Sequence, residues 1–89
     1  MSAENYLNHT TFGLLFRVCI LDDKRELFTT LYAQRLFFLV TQADAGLEFE
    51  AITRSDARVL IENRVRTLRR LGPQAEYDRL LAMYKQTFQ

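Results

Sequence analysis

The 89-residue chain has one cysteine, one proline, three glycines, one histidine and no tryptophan. A single cysteine, Cys19, cannot close an internal disulfide, and with only His9 to join it no Cys/His zinc cage can form. So little glycine and proline excludes collagen and low-complexity linkers, and a hydrophobic share of 48% excludes disorder. No apolar run approaches the ~18–20 residues of a membrane span. Residues 1–9 lack the charged start and apolar middle of a signal peptide. Charge of one sign is missing too: the net charge of +1 makes the whole chain neither a polyanion mimic nor a basic nucleic-acid arm. At this length the chain holds one domain at most, or one small domain with an appendage. What remains is a soluble globule of a reducing compartment, expected in the cytoplasm.

Within that neutral total the residues are unevenly distributed. Tyr6, Phe12, Phe16, Phe28, Tyr32, Phe37, Phe38 and Phe49 fall in residues 1–53, while residues 54–89 hold only Tyr77, Tyr84 and Phe88. Residues 1–53 carry four basic and seven acidic side chains, net −3, and residues 54–89 carry eight and four, net +4. An acidic, aromatic half precedes a basic half.

The first half reads as strands. Phe12–Leu21 is β-branched and aromatic and is followed by the turn cluster Asp22-Asp23-Lys24. Glu26–Tyr32 and Arg35–Gln42 are two more runs, with Ala33-Gln34 between them as a tight hairpin or a bent ribbon. Asp44-Ala45-Gly46 signals another turn, and Leu47–Ile52 alternates apolar and acidic residues. Four or five short strands in about 50 residues cannot make a flat sheet with one dry face. A strongly bent, SH3-like barrel is expected.

The second half reads as two helices. Thr53-Arg54-Ser55-Asp56 fits a capping box. At 100° per residue Ala57, Leu60, Ile61, Val65, Leu68 and Leu71 share one face, while Arg58, Glu62, Arg66, Arg69 and Arg70 share the other. Gly72 is expected to supply a left-handed cap and Pro73 to open the second helix. Tyr77, Leu80, Leu81, Tyr84 and Phe88 form its narrow apolar stripe, so the two helices are expected to pack as a hairpin. Arg64 projects into the apolar face of the first helix, where it is expected to pair with a carboxylate at the barrel–helix seam.

The sequence contains no GxGxxG, GxxxxGK[ST], HExxH or CxxC pattern. His9 reads as a surface or hairpin-edge histidine and Cys19 as an inert buried thiol. No catalytic residue, cofactor or metal ligand is expected, and the chain is not expected to be an enzyme. The run Leu31–Val40 is more informative. In a strand, Leu36, Phe38 and Val40 point one way and Phe37 and Leu39 the other, so both faces are apolar. Either the helical half covers the second face, or that face is a protein-binding patch flanked by Tyr32 and Arg35, residue types enriched at interface anchors. The alternative function is nucleic-acid binding through Arg58, Arg66, Arg69 and Arg70. Glu62 and Val59 interrupt that face, and the acidic half would repel a polyanion.

Taken together, Asn5-Tyr6-Leu7-Asn8-His9, Thr11-Phe12-Gly13-Leu14-Leu15, Leu31-Tyr32-Ala33-Gln34-Arg35-Leu36-Phe37-Phe38-Leu39-Val40 and the end Lys85-Gln86-Thr87-Phe88 resemble the PII-interacting protein X family of small cyanobacterial regulators. The resemblance covers essentially the whole chain. It implies an α+β fold: a five-stranded Tudor-like (KOW-like) barrel over residues 1–53 and a helical hairpin over 54–89. It implies an adaptor with two mutually exclusive partners, the PII trimer when 2-oxoglutarate is low and the NtcA transcription-factor dimer when it is high, with coactivation of NtcA. A GntR-like regulator would be reached through PII, and DNA only through NtcA. The effectors would bind the partners rather than this chain. The implied partner-binding residues are Glu4, Tyr6, Asp23, Tyr32, Gln34, Arg35, Leu36 and Phe38.

Overall fold

The structure, a computed structural model, describes residues 5–30 and 36–88. Five antiparallel strands, β1 (Tyr6–His9), β2 (Gly13–Ile20), β3 (Arg25–Thr30), β4 (Phe37–Ala43) and β5 (Gly46–Ile52), are followed by α1 (Arg54–Leu71) and α2 (Gln74–Phe88). The strands pair in sequence order, each with the next, and form a half-barrel. β1 is the strand not singled out from sequence, since its four residues are short and alternate between exposed and half-buried. The expected hairpin at Ala33-Gln34 lies outside the described residues.

Curvature comes from a register shift in β2, where Arg17 faces Phe28 but Cys19 faces Leu27, so Val18 is the extra residue of a bulge. The β4–β5 turn is tight because Ala43 pairs directly with Gly46, whose φ of +126° only glycine adopts freely. At the β2–β3 turn the Asp22 Oδ1 accepts from the Lys24 amide (3.0 Å) and the Arg25 amide (2.9 Å). Its Oδ2 accepts from Arg25 Nε at 2.7 Å. The Lys24 amide first and then the Arg25 guanidinium hold the Asp22 carboxyl below the usual carboxylate range.

Two apolar clusters lie on opposite faces of the sheet. The inner one is Leu15, Phe28, Phe38 and Val40, with Leu7 and Phe49 against it. The outer one joins Val18, Leu27 and Phe37 of the sheet to Ala57, Ile61, Val65 and Leu68 of α1 and Leu80 of α2. The two apolar faces of β4 are thereby explained: Phe38 and Val40 fill the half-barrel, and the helices cover Phe37, which stacks on Phe88 at 5.7 Å.

Thr53 caps α1 as its sequence context suggests, its Oγ1 accepting from the Asp56 amide at 3.0 Å. Two expectations for the helices need correction. Leu71 is 77% exposed rather than part of the buried face, because the chain turns into α2 at the next residue and leaves nothing for it to cover. Arg64, by contrast, meets its expectation: it pairs with Glu76 on α2 (3.3 Å), a carboxylate at the barrel–helix seam, close enough to β2 for both charges to act on Cys19. That thiol is pushed up to about 12, chiefly by burial, so it stays protonated at neutral pH.

The second correction concerns Gly72. Its φ of −93° and ψ of 169° are extended, not left-handed, although its amide does donate to the Leu68 carbonyl at 2.9 Å. The requirement for glycine is steric. A Cβ at this position would lie 2.4 Å from Leu68 Cδ2 and 2.9 Å from Leu68 Cα, and the second atom is backbone that cannot step aside. Gly72→Ala and Gly72→Asn should therefore both destabilise the protein by ~1–3 kcal/mol. A left-handed site would accept asparagine, so thermal unfolding of an Asn variant near wild type would restore the cap account.

The helices are also tied to each other. The Arg54 guanidinium lies over the Phe88 ring at 4.8 Å and donates to the Thr87 carbonyl. The Tyr84 hydroxyl donates to Glu62 at 2.6 Å and accepts from Arg58 Nε at 3.3 Å.

Candidate protein-interaction surface

At one end of the sheet the β1–β2 turn stands beside the chain leading into β4. The turn is held by His9, the last residue of β1, whose Nδ1 accepts from the amides of Thr11 (3.0 Å) and Phe12 (3.3 Å). The ring of His9 stacks on Phe38 (5.8 Å), meets the edge of Phe49 (5.2 Å) and leans on Phe12 (5.2 Å). Phe12 in turn packs on Phe38 at 5.1 Å. Since β1 and β5 are the two ends of the sheet, the His9–Phe49 contact brings them together by side chains. Among the described residues, backbone pairing runs only between consecutive strands.

Leu36, just before β4, has its backbone fixed and its side chain free. Its carbonyl accepts from the Thr30 amide (3.1 Å) and the Thr29 hydroxyl (2.8 Å), while the side chain is 45% exposed. Tyr6 on β1 is 48% exposed and rests on Phe16 at 5.7 Å. The entry to β1 is pinned by Asn5, whose carbonyl takes the Arg17 amide (2.8 Å) and whose Oδ1 takes Arg17 Nη2 (3.0 Å). Arg17 also pairs with Glu26 at 2.9 Å, largely out of solvent.

Of the eight residues implied by the family resemblance, the structure places Tyr6 and Leu36 on the surface and Phe38 inside the half-barrel, 2% exposed. Phe38 is a platform under that surface, in contact with His9 and Phe12, rather than an exposed face. Asp23 is exposed in the β2–β3 turn, at the opposite end of β3 from Leu36. Glu4, Tyr32, Gln34 and Arg35 lie outside the described residues. His9 and Phe12 are the neighbours that sequence reasoning did not select. The available signal was an acceptor side chain two and three residues before Thr11 and Phe12, the spacing that Asp22 uses at the next turn.

The basic face of α1 is less suited to a polyanion. Arg66, Arg69 and Arg70 are exposed, but Arg58 is engaged by Tyr84 and Glu62. A cavity of ≈ 270 Å³ between the helices carries Glu62 alongside Arg66 and Arg69. Tyr84 and then Arg58 keep the Glu62 carboxyl below the usual range, so it is ionised in the middle of the face. Among the described residues no group of three or more His, Cys, Asp or Glu could hold a metal ion. No helix there is long and apolar enough to cross a membrane.

The family model of PipX, PII-interacting protein X, matches residues 3–88, nearly the whole chain. The chain belongs to the PipX family. No individual curated protein matches it significantly. PipX is by description a PII-interacting protein, so the work of this chain is protein–protein interaction with PII as a partner. Its two elements, a half-barrel of five antiparallel strands and two C-terminal helices, are a small α+β fold.

Proposed function

We propose that this chain is a nitrogen-regulation adaptor, bound by the PII trimer when 2-oxoglutarate is low and passed to the NtcA dimer, which it coactivates, when 2-oxoglutarate is high. Membership of the PipX family over residues 3–88 is the observation that carries this reading. The exposed apolar residues Tyr6 and Leu36 support a shared barrel surface, to which we assign Tyr32, Gln34, Arg35 and Leu36, with Phe38 beneath, Glu4 and Tyr6 nearby and Asp23 at the far end of β3. Residues 1–53 form the partner-binding domain and residues 54–89 an appended helical hairpin. Two proteins that need one surface exclude each other by geometry. The direction of exchange is then set by effectors that bind the partners' conformations unequally. A GntR-like regulator is reached through PII, DNA through NtcA, and no small molecule binds this chain itself.

Retention of PII from a cyanobacterial extract without 2-oxoglutarate, and of NtcA with it, is the expected result of a pull-down on this chain. Tyr32→Ala should weaken both complexes by ~2 kcal/mol or more while leaving the fold intact. Normal binding of both partners by a folded Tyr32→Ala protein would sink the shared surface.

A further inference from the structure

Six large apolar side chains are exposed among the described residues: Tyr6, Phe12, Leu36, Leu47, Val59 and Leu71. Val59 and Leu71 belong to α1, and Leu47 is the second residue of β5, beside the β4–β5 turn. Phe12 and Leu36 occupy the same end of the sheet, one on the β1–β2 turn and the other on the approach to β4. Phe12 is 44% exposed.

An aromatic residue at the tip of a turn would ordinarily sweep through many orientations, and ordering it would oppose binding. Here its backbone and its ring are both held. The Thr11 and Phe12 amides donate to His9 Nδ1, and the Phe12 ring rests against both Phe38 and His9. The ring therefore meets a partner with its orientation already set.

The choice of histidine as the clamp follows from its surroundings. Asp22 makes the same pair of bonds, from the amides two and three residues on, with a carboxylate in an exposed turn. At the β1–β2 turn the acceptor is surrounded by Phe12, Phe38 and Phe49. A carboxylate there would accept from the same two amides but would give up the ring contacts with Phe12, Phe38 and Phe49. An imidazole supplies an acceptor nitrogen and an aromatic face in one side chain.

We propose that Phe12 is a pre-organised anchor for PII and that His9 is the positioning residue that presents it. The inference rests on the PII-binding reading of this surface and extends it to two residues on the β1–β2 turn. Aromatic anchors in the centre of an interface carry most of its energy.

Titration of purified PII with the full chain and three variants tests this, with thermal unfolding of each in parallel. Phe12→Ala should weaken the complex by about 30-fold or more with little change in melting temperature. His9→Ala should weaken it roughly tenfold by freeing the turn. His9→Asn places an amide oxygen where Nδ1 stood, so it should recover most of that loss, which a purely structural role of the ring would not allow. A wild-type complex that is indifferent to Phe12→Ala overturns the anchor alone. Equal losses for His9→Ala and His9→Asn overturn the clamp. Failure of the wild-type chain to bind PII overturns the adaptor reading and this inference with it.

Discussion

Phe37→Ala is expected to destabilise the protein by about 3–5 kcal/mol, enough to lower its melting temperature by roughly 12 °C or more. Phe37 is fully buried where the sheet, α1 and α2 meet. It pairs in register with Thr29 and Ile52 and stacks on Phe88. Truncation removes the ring's transfer energy and leaves a cavity that two rigid layers cannot close. Helical circular dichroism and amide exchange in the strands should fall in one shared transition, because a helix pair of this length has little stability without its apolar face covered. Survival of the helical signal after the strands have opened would show that the two layers do not share a core. A shift of only a few degrees would show that Phe37 contributes no more than its neighbours.

The second large effect is expected from Phe28→Ala, at the same ~3–5 kcal/mol but with a different functional signature. Phe28 lies directly opposite Phe38 in the β3–β4 ladder and belongs to the inner cluster, which contains no helix residue. The vacancy would sit beside the ring on which His9 and Phe12 rest. Phe28→Ala should therefore weaken PII binding even at low temperature, where the variant remains folded. Phe37→Ala should weaken it only in proportion to the unfolded fraction. Urea denaturation paired with PII titration separates the two. A stability loss below about 1 kcal/mol would contradict a packed inner core, and unchanged PII affinity would disconnect that core from the surface above it.

The parts legible from sequence were those in which one residue type has one local use. Thr53 before an amphipathic run is a cap, and Asp22-Asp23 after an apolar strand is a turn. Alternation assigned Phe37 and Phe38 to opposite faces of β4. It could not assign depth: the rule puts Leu36 and Phe38 together, yet the strand begins at Phe37, leaving Leu36 in water and Phe38 in the interior. Gly72 was misread because a glycine after a helix fits both a left-handed φ and a tight approach, and only the position of Leu68 decides between them. Leu71 was misplaced because a helical wheel treats every turn as equally covered. The hairpin-edge reading of His9 fits its place at the end of β1, but its role as acceptor for its own turn leaves no trace in hydrophobic periodicity.

The closure of the half-barrel by His9 and Phe49 has a mechanical consequence. A hoop fastened all round by backbone hydrogen bonds can widen only by breaking some of them. This one is fastened on one side by aromatic rings, whose attraction falls off steeply as they part. The seam between β1 and β5 thus depends on side chains, while the four ladders depend on the backbone. His9 belongs both to that seam and to the clamp on Phe12, so the closing of the half-barrel and the setting of Phe12 rest on one ring.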